Sequence, residues 1–212
     1  MSGRFISFEG PEGSGKSTQI RLLAERLQAQ AFDVLCTREP GGTPTGEAIR
    51  NLLQHDAVGE PLDDRAELLL FTASRAQLMS QVIQPALEKG AWVLCDRFID
   101  STMAYQGFAR GMDIDMLDRI NEFAIMGRKP DLTVLLDLDV ERGFERLSER
   151  YAHGTGSADR FEREAHEFHE RVRAGYHQLA ASEPGRFCIV DTDRPIEIVS
   201  ADIWTRVRER LL

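Results

Sequence analysis

Residues 10–18 form the glycine-rich segment GPEGSGKST, whose residue types suit the binding of phosphate. The segment matches the pattern G-x-x-x-x-G-K-[ST] through Gly10, Gly15, Lys16 and Ser17. In such a loop the backbone N–H groups turn inward around phosphate oxygens, and the helix that follows adds partial positive charge. Lys16 would reach the β- and γ-phosphates of a nucleotide, and the Ser17 hydroxyl could ligate Mg²⁺. The expected nucleotide-binding residues are Gly10, Glu12, Gly13, Ser14, Gly15, Lys16, Ser17 and Thr18.

The elements that position this loop follow from the hydrophobic pattern. Short, almost continuously apolar runs predict five strands buried on both faces, at residues 4–8, 33–37, 91–95, 132–138 and 186–190. Stretches with helical spacing separate them, so we expect one domain over 1–212 with a three-layer α/β fold, in which helices flank a five-stranded parallel sheet as in P-loop NTPases. Pro85 predicts a kink or break in a helical pattern over 62–89. The glycine-rich stretch 152–158 fits either a turn or a closing lid.

Charged residues follow two of the predicted strands directly. Arg38 comes after the second strand, and Asp96 and Arg97 come after the third. Ligands of such folds lie beyond the carboxyl ends of the strands. Two arginines beside a phosphate loop could therefore grip the phosphate of an acceptor molecule.

The amino-acid composition limits the binding partners and the cellular location expected for the chain. Its 212 residues carry a net charge of −9, which disfavours general binding to nucleic acid or to membrane surfaces. The first residues contain no apolar signal segment, and no apolar run approaches the ~18 residues that span a bilayer. Three cysteines without C-x-x-C spacing fit a reducing cytosol, so we expect a cytoplasmic protein.

The function classes that share a phosphate loop can be partly separated. Neither Asn51 nor Asn121 is followed by lysine, so the guanine-reading motif N-K-x-D of switch GTPases is missing. Motor and transport ATPases are usually larger, and a kinase with a small acceptor fits the length better. A kinase for another nucleoside or nucleotide stays open. A non-catalytic nucleotide-binding regulator also stays open, although the full set of loop and strand-end charges disfavours it.

Several segments together resemble thymidylate kinases of the bacterial type. They occur in order along essentially the whole chain and read FEGPEGSGKST, TREPGGT, LLLFTASRAQ, DRF, STMAYQG and KPDLTVLLDL. The phosphate loop is shared by many families, whereas TREPGGT with DRF and AYQG is far more specific. The resemblance implies transfer of the γ-phosphoryl of ATP to dTMP, giving ADP and dTDP, with Mg²⁺, in a homodimer. A plausible dimer interface is formed by the helices around 43–54 and 62–89.

The resemblance also assigns the phosphate contacts of the acceptor. It implies that Arg38 and Arg97 hold this phosphate and that Asp96 lies, like Ser17, at the Mg²⁺ ion. Family members often carry tyrosine or histidine after the DR pair. This chain has Phe98 there, to which we assign no chemical role.

Thymine recognition is expected on one face of a helix. Phe71 and Arg75 are four residues apart and therefore neighbours on that face. The resemblance implies that Phe71 stacks on the base and that Arg75 donates to thymine O4. Ser101 and Gln106 are expected to make further base contacts.

The same resemblance assigns two sugar contacts. Tyr105 would pack where the 2′-hydroxyl of a ribonucleotide would sit, which disfavours ribonucleotides. The carboxylate of Glu12 would accept a hydrogen bond from the 3′-hydroxyl.

A lid over residues 146–160 is expected to supply cations for the transfer. Some family members carry an arginine in the phosphate loop, but this chain has Gly13 at that position. The resemblance therefore directs the catalytic role to Arg146 and Arg150 in the lid, together with Lys16 and Arg97. Arg160 is a plausible third lid partner.

Overall fold

The computed structural model describes residues 3–54, 60–152 and 159–212. Its strands are β1 (Arg4–Glu9), β2 (Val34–Arg38), β3 (Trp92–Asp96), β4 (Leu132–Asp137) and β5 (Phe187–Asp191). They form one parallel sheet in the order β2-β3-β1-β4-β5. Each strand begins within one residue of a predicted apolar run, and the predicted three-layer α/β fold is confirmed.

Helices connect the strands and cover the sheet. In chain order they are α1 (Lys16–Gln28), α2 (Pro44–Gln54), α3 (Asp64–Leu78), α4 (Gln84–Glu88), α5 (Ile99–Thr102), α6 (Ile114–Ile125), α7 (Val140–Ala152), α8 (His166–Ser182) and α9 (Ile196–Leu211). A π-helical segment, Met79–Ile83, joins α3 to α4 just before Pro85 and confirms the predicted break. A second one, Met103–Ala109, extends α5. Among the described helices, none is long and apolar enough to cross a membrane.

The core explains why the strand sequences do not alternate. Side chains on one face of the sheet, such as Phe8 and Leu136, pack in a fully buried cluster with α1 and α9. Those on the other face, such as Phe5 and Val93, pack against the end of α3 and against α6, and α8 covers the remainder. Because both faces are buried, apolar residues are required at nearly every strand position.

The strand register aligns the carboxyl ends of β1, β2 and β3. Arg38 pairs in register with Asp96, and Asp96 with Phe8. Backbone bonds extend the alignment beyond the strands, since Glu39 N–H donates to Asp96 O at 2.9 Å and Arg97 N–H donates to Phe8 O at 2.9 Å. The two sequence-predicted arginines are thereby placed beside the phosphate loop that follows β1.

Candidate active site

A cavity of about 640 Å³ opens at the carboxyl ends of the strands. Nearly all residues predicted from the sequence line its wall, namely Glu12, Gly13, Ser14, Gly15, Lys16, Ser17, Thr18, Arg38, Phe71, Arg75, Asp96, Arg97, Ser101, Tyr105, Gln106, Arg146 and Arg150. Gly10 does not line the cavity but lies against the backbone of β4. A Cβ atom there would lie 2.3 Å from Leu136 O, so only glycine lets the loop begin so close to β4.

The phosphate loop turns directly into α1. Gly15 precedes the helix with a left-handed backbone, φ 88°, and a side chain there would meet only open space. Lys16 is buried, and its ammonium donates to Gly10 O at 3.1 Å and to Pro11 O at 2.9 Å. Burial, and next the nearby Arg97, lower the pKa of Lys16 to about 8. The Ser17 hydroxyl donates to Asp96 Oδ2 at 2.9 Å, which brings the two predicted metal ligands together.

Arg97 is the centre of a partly buried charge cluster. Its backbone is left-handed, φ 67°, and its guanidinium forms an ion pair with Glu12 Oε1 and donates to Gly10 O at 3.3 Å. The Tyr105 hydroxyl donates to the same Glu12 oxygen at 2.9 Å, and its ring lies under the guanidinium at 5.1 Å. Burial raises the pKa of Glu12, but Arg97 and then Lys16 outweigh it and hold that pKa at about 2. Glu12 is therefore a carboxylate at neutral pH.

Glu9 lies behind Arg97 and was missed by sequence reasoning. Its carboxyl accepts hydrogen bonds from Phe98 N–H at 2.7 Å, from the Ser101 hydroxyl at 2.6 Å and from the Tyr176 hydroxyl at 3.0 Å. Burial and the charge of Asp100 raise its pKa to about 8. The signal for Glu9 was its place at the end of an apolar strand, whereas the part of α8 that brings Tyr176 here gave none. Ser101, predicted to contact the base, thus lies beside Arg97, the arginine expected to hold the acceptor phosphate.

The residues predicted for the base occupy another part of the wall. Phe71 is half-buried, with its ring 5.7 Å from that of Phe161. Arg75 is buried and bonds to the carboxylate of Glu39, which sequence reasoning missed. Gln106 donates its amide N–H to Glu67 Oε1 at 2.7 Å. Among the described residues, this contact leaves the second amide N–H and the carbonyl oxygen of Gln106 for a ligand.

A third arginine joins the two predicted for the acceptor phosphate. Arg38 bonds to Glu47 at 2.8 Å and is half-exposed at the cavity wall. Arg50, on α2, also lines the wall and donates to Pro40 O at 3.0 Å. Burial and the charge of Arg38 lower the pKa of Arg50. Sequence reasoning missed Arg50 because nothing in its own helix marks it as different from a surface arginine.

Two glycines bring the phosphate loop and α7 into direct backbone contact. A Cβ atom on Gly13 would lie 2.5 Å from Gly143 O, and one on Gly143 would lie 2.6 Å from Glu12 O. Arg146 and Arg150 follow Gly143 by three and seven residues and so share its helix face. Arg146 donates to Thr192 O at 2.8 Å and to Gly13 O at 3.4 Å.

The remainder of the predicted lid is only partly described. Arg150 pairs with Glu162 at 3.0 Å, and both line the cavity. Arg160 instead pairs with the buried Glu67 and donates to Leu53 O at 3.0 Å. The predicted glycine-rich segment lies, apart from its first residue, outside the described residues.

Comparison with known proteins places these features in one family. A sequence model of the thymidylate kinase family matches residues 8–203. A thymidylate kinase of Halothermothrix orenii is 51% identical, with the match covering 100% of both chains. One of Pelotomaculum thermopropionicum is 50% identical over 100% of this chain and 95% of its own. A crystal structure of thymidylate kinase from Ehrlichia chaffeensis superposes with a TM-score of 0.79 at 34% identity, covering 98% of this chain and 100% of that one. The chain belongs to the thymidylate kinase family.

Proposed function

We propose that this chain transfers the γ-phosphoryl of ATP to dTMP, giving ADP and dTDP. One observation carries the proposal together with the family membership. The Lys16 ammonium and the Arg97 guanidinium bond to the same carbonyl oxygen, Gly10 O, at 3.1 and 3.3 Å. The cation expected on the donor phosphates therefore lies next to the cation expected on the acceptor phosphate, as direct transfer requires.

The donor side fits ATP with Mg²⁺. Ser17 and Asp96 supply a hydroxyl and a carboxylate that touch each other, and within the described residues no group of three or more acidic, histidine or cysteine side chains forms a complete protein site. Mg²⁺ prefers this kind of site, with one or two protein oxygens completed by water and phosphate oxygens. When bound, it would neutralise charge on the β- and γ-phosphates.

The acceptor side fits a deoxynucleoside monophosphate. Arg97, Arg38 and Arg50 would surround its phosphate. Among the described residues, Arg97 and Tyr105 both donate to Glu12 Oε1, which leaves Oε2 for the sugar 3′-hydroxyl. The Tyr105 ring is fixed between Arg97 and Phe161, so it would present a closed surface where a ribose 2′-hydroxyl would sit.

The transfer itself needs charge neutralisation and the exclusion of water. Lys16, Arg97, Arg146 and Arg150 all line the cavity and would surround the moving phosphoryl group. Gly13 has no space for an arginine side chain because the backbone of Gly143 is against it. This contact supports the assignment of the missing positive charge to α7.

Acceptor choice tests the proposed function directly. Purified protein with ATP and Mg²⁺ should form dTDP from dTMP, with much lower kcat/KM for dCMP and AMP, measured by chromatographic separation of products. Preferred turnover of dCMP or AMP would favour a kinase for another nucleotide. No transfer to any acceptor would favour the non-catalytic regulator.

Replacing Arg150 tests the role of α7. Arg150→Ala should lower kcat by roughly 10³-fold, because an arginine on the transferring phosphoryl acts in the transition state, while KM for dTMP changes little. Arg142→Ala is the matched control, since Arg142 lies on the same helix but pairs with Glu145 and Asp193. Steady-state kinetics measures both. An unchanged kcat in Arg150→Ala would remove Arg150 from the mechanism.

The lowered pKa of Lys16 predicts a pH dependence of ATP binding. Above about pH 8 the free protein loses the Lys16 charge, so affinity for a non-hydrolysable ATP analogue should fall, approaching about tenfold per pH unit. Phosphate groups, with a pKa of about 6, are already ionised there. Calorimetric titration from about pH 7 to about pH 9.5 measures the trend. AMP, which lacks the phosphates that Lys16 would bind, is the control; equal slopes for both ligands would exclude Lys16 as the cause.

A homodimer is supported by an apolar groove between α3 and α6. Its exposed side chains include Phe123, with 85% of its surface exposed, and Leu69, with 60%. Thr72, Ala73, Ala76, Met116 and Ile120 line the remainder of the groove with Arg119. We propose that a second copy of the chain covers this surface, which uses α3, within the expected range 62–89, and α6 in place of the expected helix around 43–54.

Placing a charge in the groove tests the dimer. Phe123→Arg should shift the protein from dimer to monomer in sedimentation velocity experiments, because it puts a charge in the middle of an apolar interface. Ile196→Arg is the control, since Ile196 is similarly apolar, 52% exposed and on α9. If Phe123→Arg sediments as the wild type does, the groove is not the interface.

The cysteines are consistent with the expected reducing cytoplasm. Cys36, Cys95 and Cys188 are unpaired in the structure, and the last two are buried. Burial raises the pKa of Cys188 to about 11, so its reactive thiolate form is scarce. Location in the cytoplasm stays a prediction.

A further inference from the structure

The guanidinium of Arg75 is held by groups from three separate parts of the chain. Glu39, after β2, accepts from Nε at 2.8 Å and from Nη2 at 2.6 Å. The carbonyl of Phe98, after β3, accepts from Nη2 at 3.2 Å, and Asn121 Oδ1, on α6, accepts from Nη1 at 2.7 Å. The Phe98 ring lies 5.6 Å from the guanidinium carbon. Phe98, to which we assigned no chemical role from the sequence, thus supports Arg75 with both its backbone and its ring.

Counting donors shows what these contacts leave for a ligand. An arginine side chain has five N–H groups in a fixed plane. Among the described residues, four of those of Arg75 have partners: one on Nε, two on Nη2 and one on Nη1. The second N–H of Nη1 remains, on a side chain that lines the cavity but is only 1% exposed. Arg75 can therefore give a ligand one hydrogen bond, in one direction.

The surroundings make that direction rigid. Arg75, Asn121 and Glu39 are all at least nine-tenths buried. Glu39 Oε1 has no partner among the described residues, and such an unpaired buried oxygen costs stability. Packing alone does not account for a buried carboxylate at Glu39, whereas its two hydrogen bonds to Arg75 do. Phe71 lies one helical turn before Arg75 on the same face of α3. The remaining N–H of Arg75 therefore has a defined position relative to the Phe71 ring, on which the base would stack.

We propose that Glu39 and Asn121 are positioning residues that direct this one N–H of Arg75 to the C4 carbonyl of a pyrimidine, and so set the preference for dTMP over dCMP. This deepens the proposed dTMP kinase function and rests on it. A carbonyl oxygen at C4 accepts a hydrogen bond from the Arg75 N–H. Cytosine has an amino group at C4, which is itself a donor and cannot accept this bond. If Arg75 could swing aside, the clash of the two donors would be relieved and the preference would fall. The support from Glu39 and Asn121 prevents this movement.

The test compares dTMP, dUMP and dCMP as acceptors. dUMP has the C4 carbonyl but lacks the methyl group of thymine, so the ratio of kcat/KM for dUMP and dCMP isolates the C4 contact. Asn121→Leu keeps the approximate volume and removes the acceptor for Nη1. We expect KM for dTMP and dUMP to rise roughly tenfold, with kcat nearly unchanged and the dUMP-to-dCMP ratio reduced by a similar factor. Asn121→Asp, which retains an oxygen in the same place, should restore much of the ratio.

Further variants separate positioning from general stability. Thr133→Val removes a buried hydroxyl on β4 that bonds to Ser7, Asp100 and Arg186, none of which holds Arg75, so it should lower the melting temperature and leave the ratio unchanged. Glu39→Gln weakens the other support of Arg75 and should lower the ratio even if Asn121→Leu does not fold. A ratio that stays at the wild-type value in both folded variants would overturn the proposal. A wild-type protein that phosphorylates none of the three acceptors would instead overturn the proposed function.

Discussion

The backbone contact between Gly13 and Gly143 is the constraint on which the transfer geometry depends. With either glycine replaced, a Cβ atom would meet the backbone of the other segment at 2.5 to 2.6 Å, so α7 would have to move away from the phosphate loop. A glycine inside a helix lowers helix stability by about 1 kcal/mol relative to alanine. Here Gly143 allows α7 to approach the phosphate loop, and the approach brings Arg146 and Arg150 to the cavity. The same close contact therefore leaves no room for a side chain at Gly13 and brings both arginines to the cavity.

Two carboxyl groups of the site, those of Glu12 and Glu9, differ in charge at neutral pH. Glu9 is fully buried and Glu12 is partly buried, yet the pKa of Glu12 is lowered to about 2 and that of Glu9 is raised to about 8. The difference follows from the partners, since Glu12 faces Arg97 and Lys16 while Glu9 receives neutral donors and lies near Asp100. Glu12 can thus present a negative charge to a hydroxyl group, and the neutral form of Glu9 avoids a second negative charge beside the proposed site of the acceptor phosphate.

Features that depend on a local sequence pattern could be predicted from the sequence. Apolar runs located the strands to within about a residue, the glycine spacing located the loop, and the strand-end rule brought Arg38, Asp96 and Arg97 together. The sequence was insufficient for partners that are distant along the chain. Glu9 and Tyr176 are 167 residues apart and Arg75 and Asn121 are 46 apart, and neither pair has a motif. The interaction partners of Arg75 depend on how three elements pack, which periodicity does not specify.

Helix α6 links two features that would otherwise be unrelated. Asn121 points inward and holds Arg75, while Phe123, two residues later, is exposed on the groove between α3 and α6. Residues two apart on a helix lie on different faces, so the same short segment contributes to the proposed base pocket and to the apolar surface. A molecule packed on that surface would restrain the helix that carries Asn121, the proposed support of Arg75. In a dimer formed through this groove, the rigidity needed to recognise the C4 carbonyl would therefore come partly from the partner.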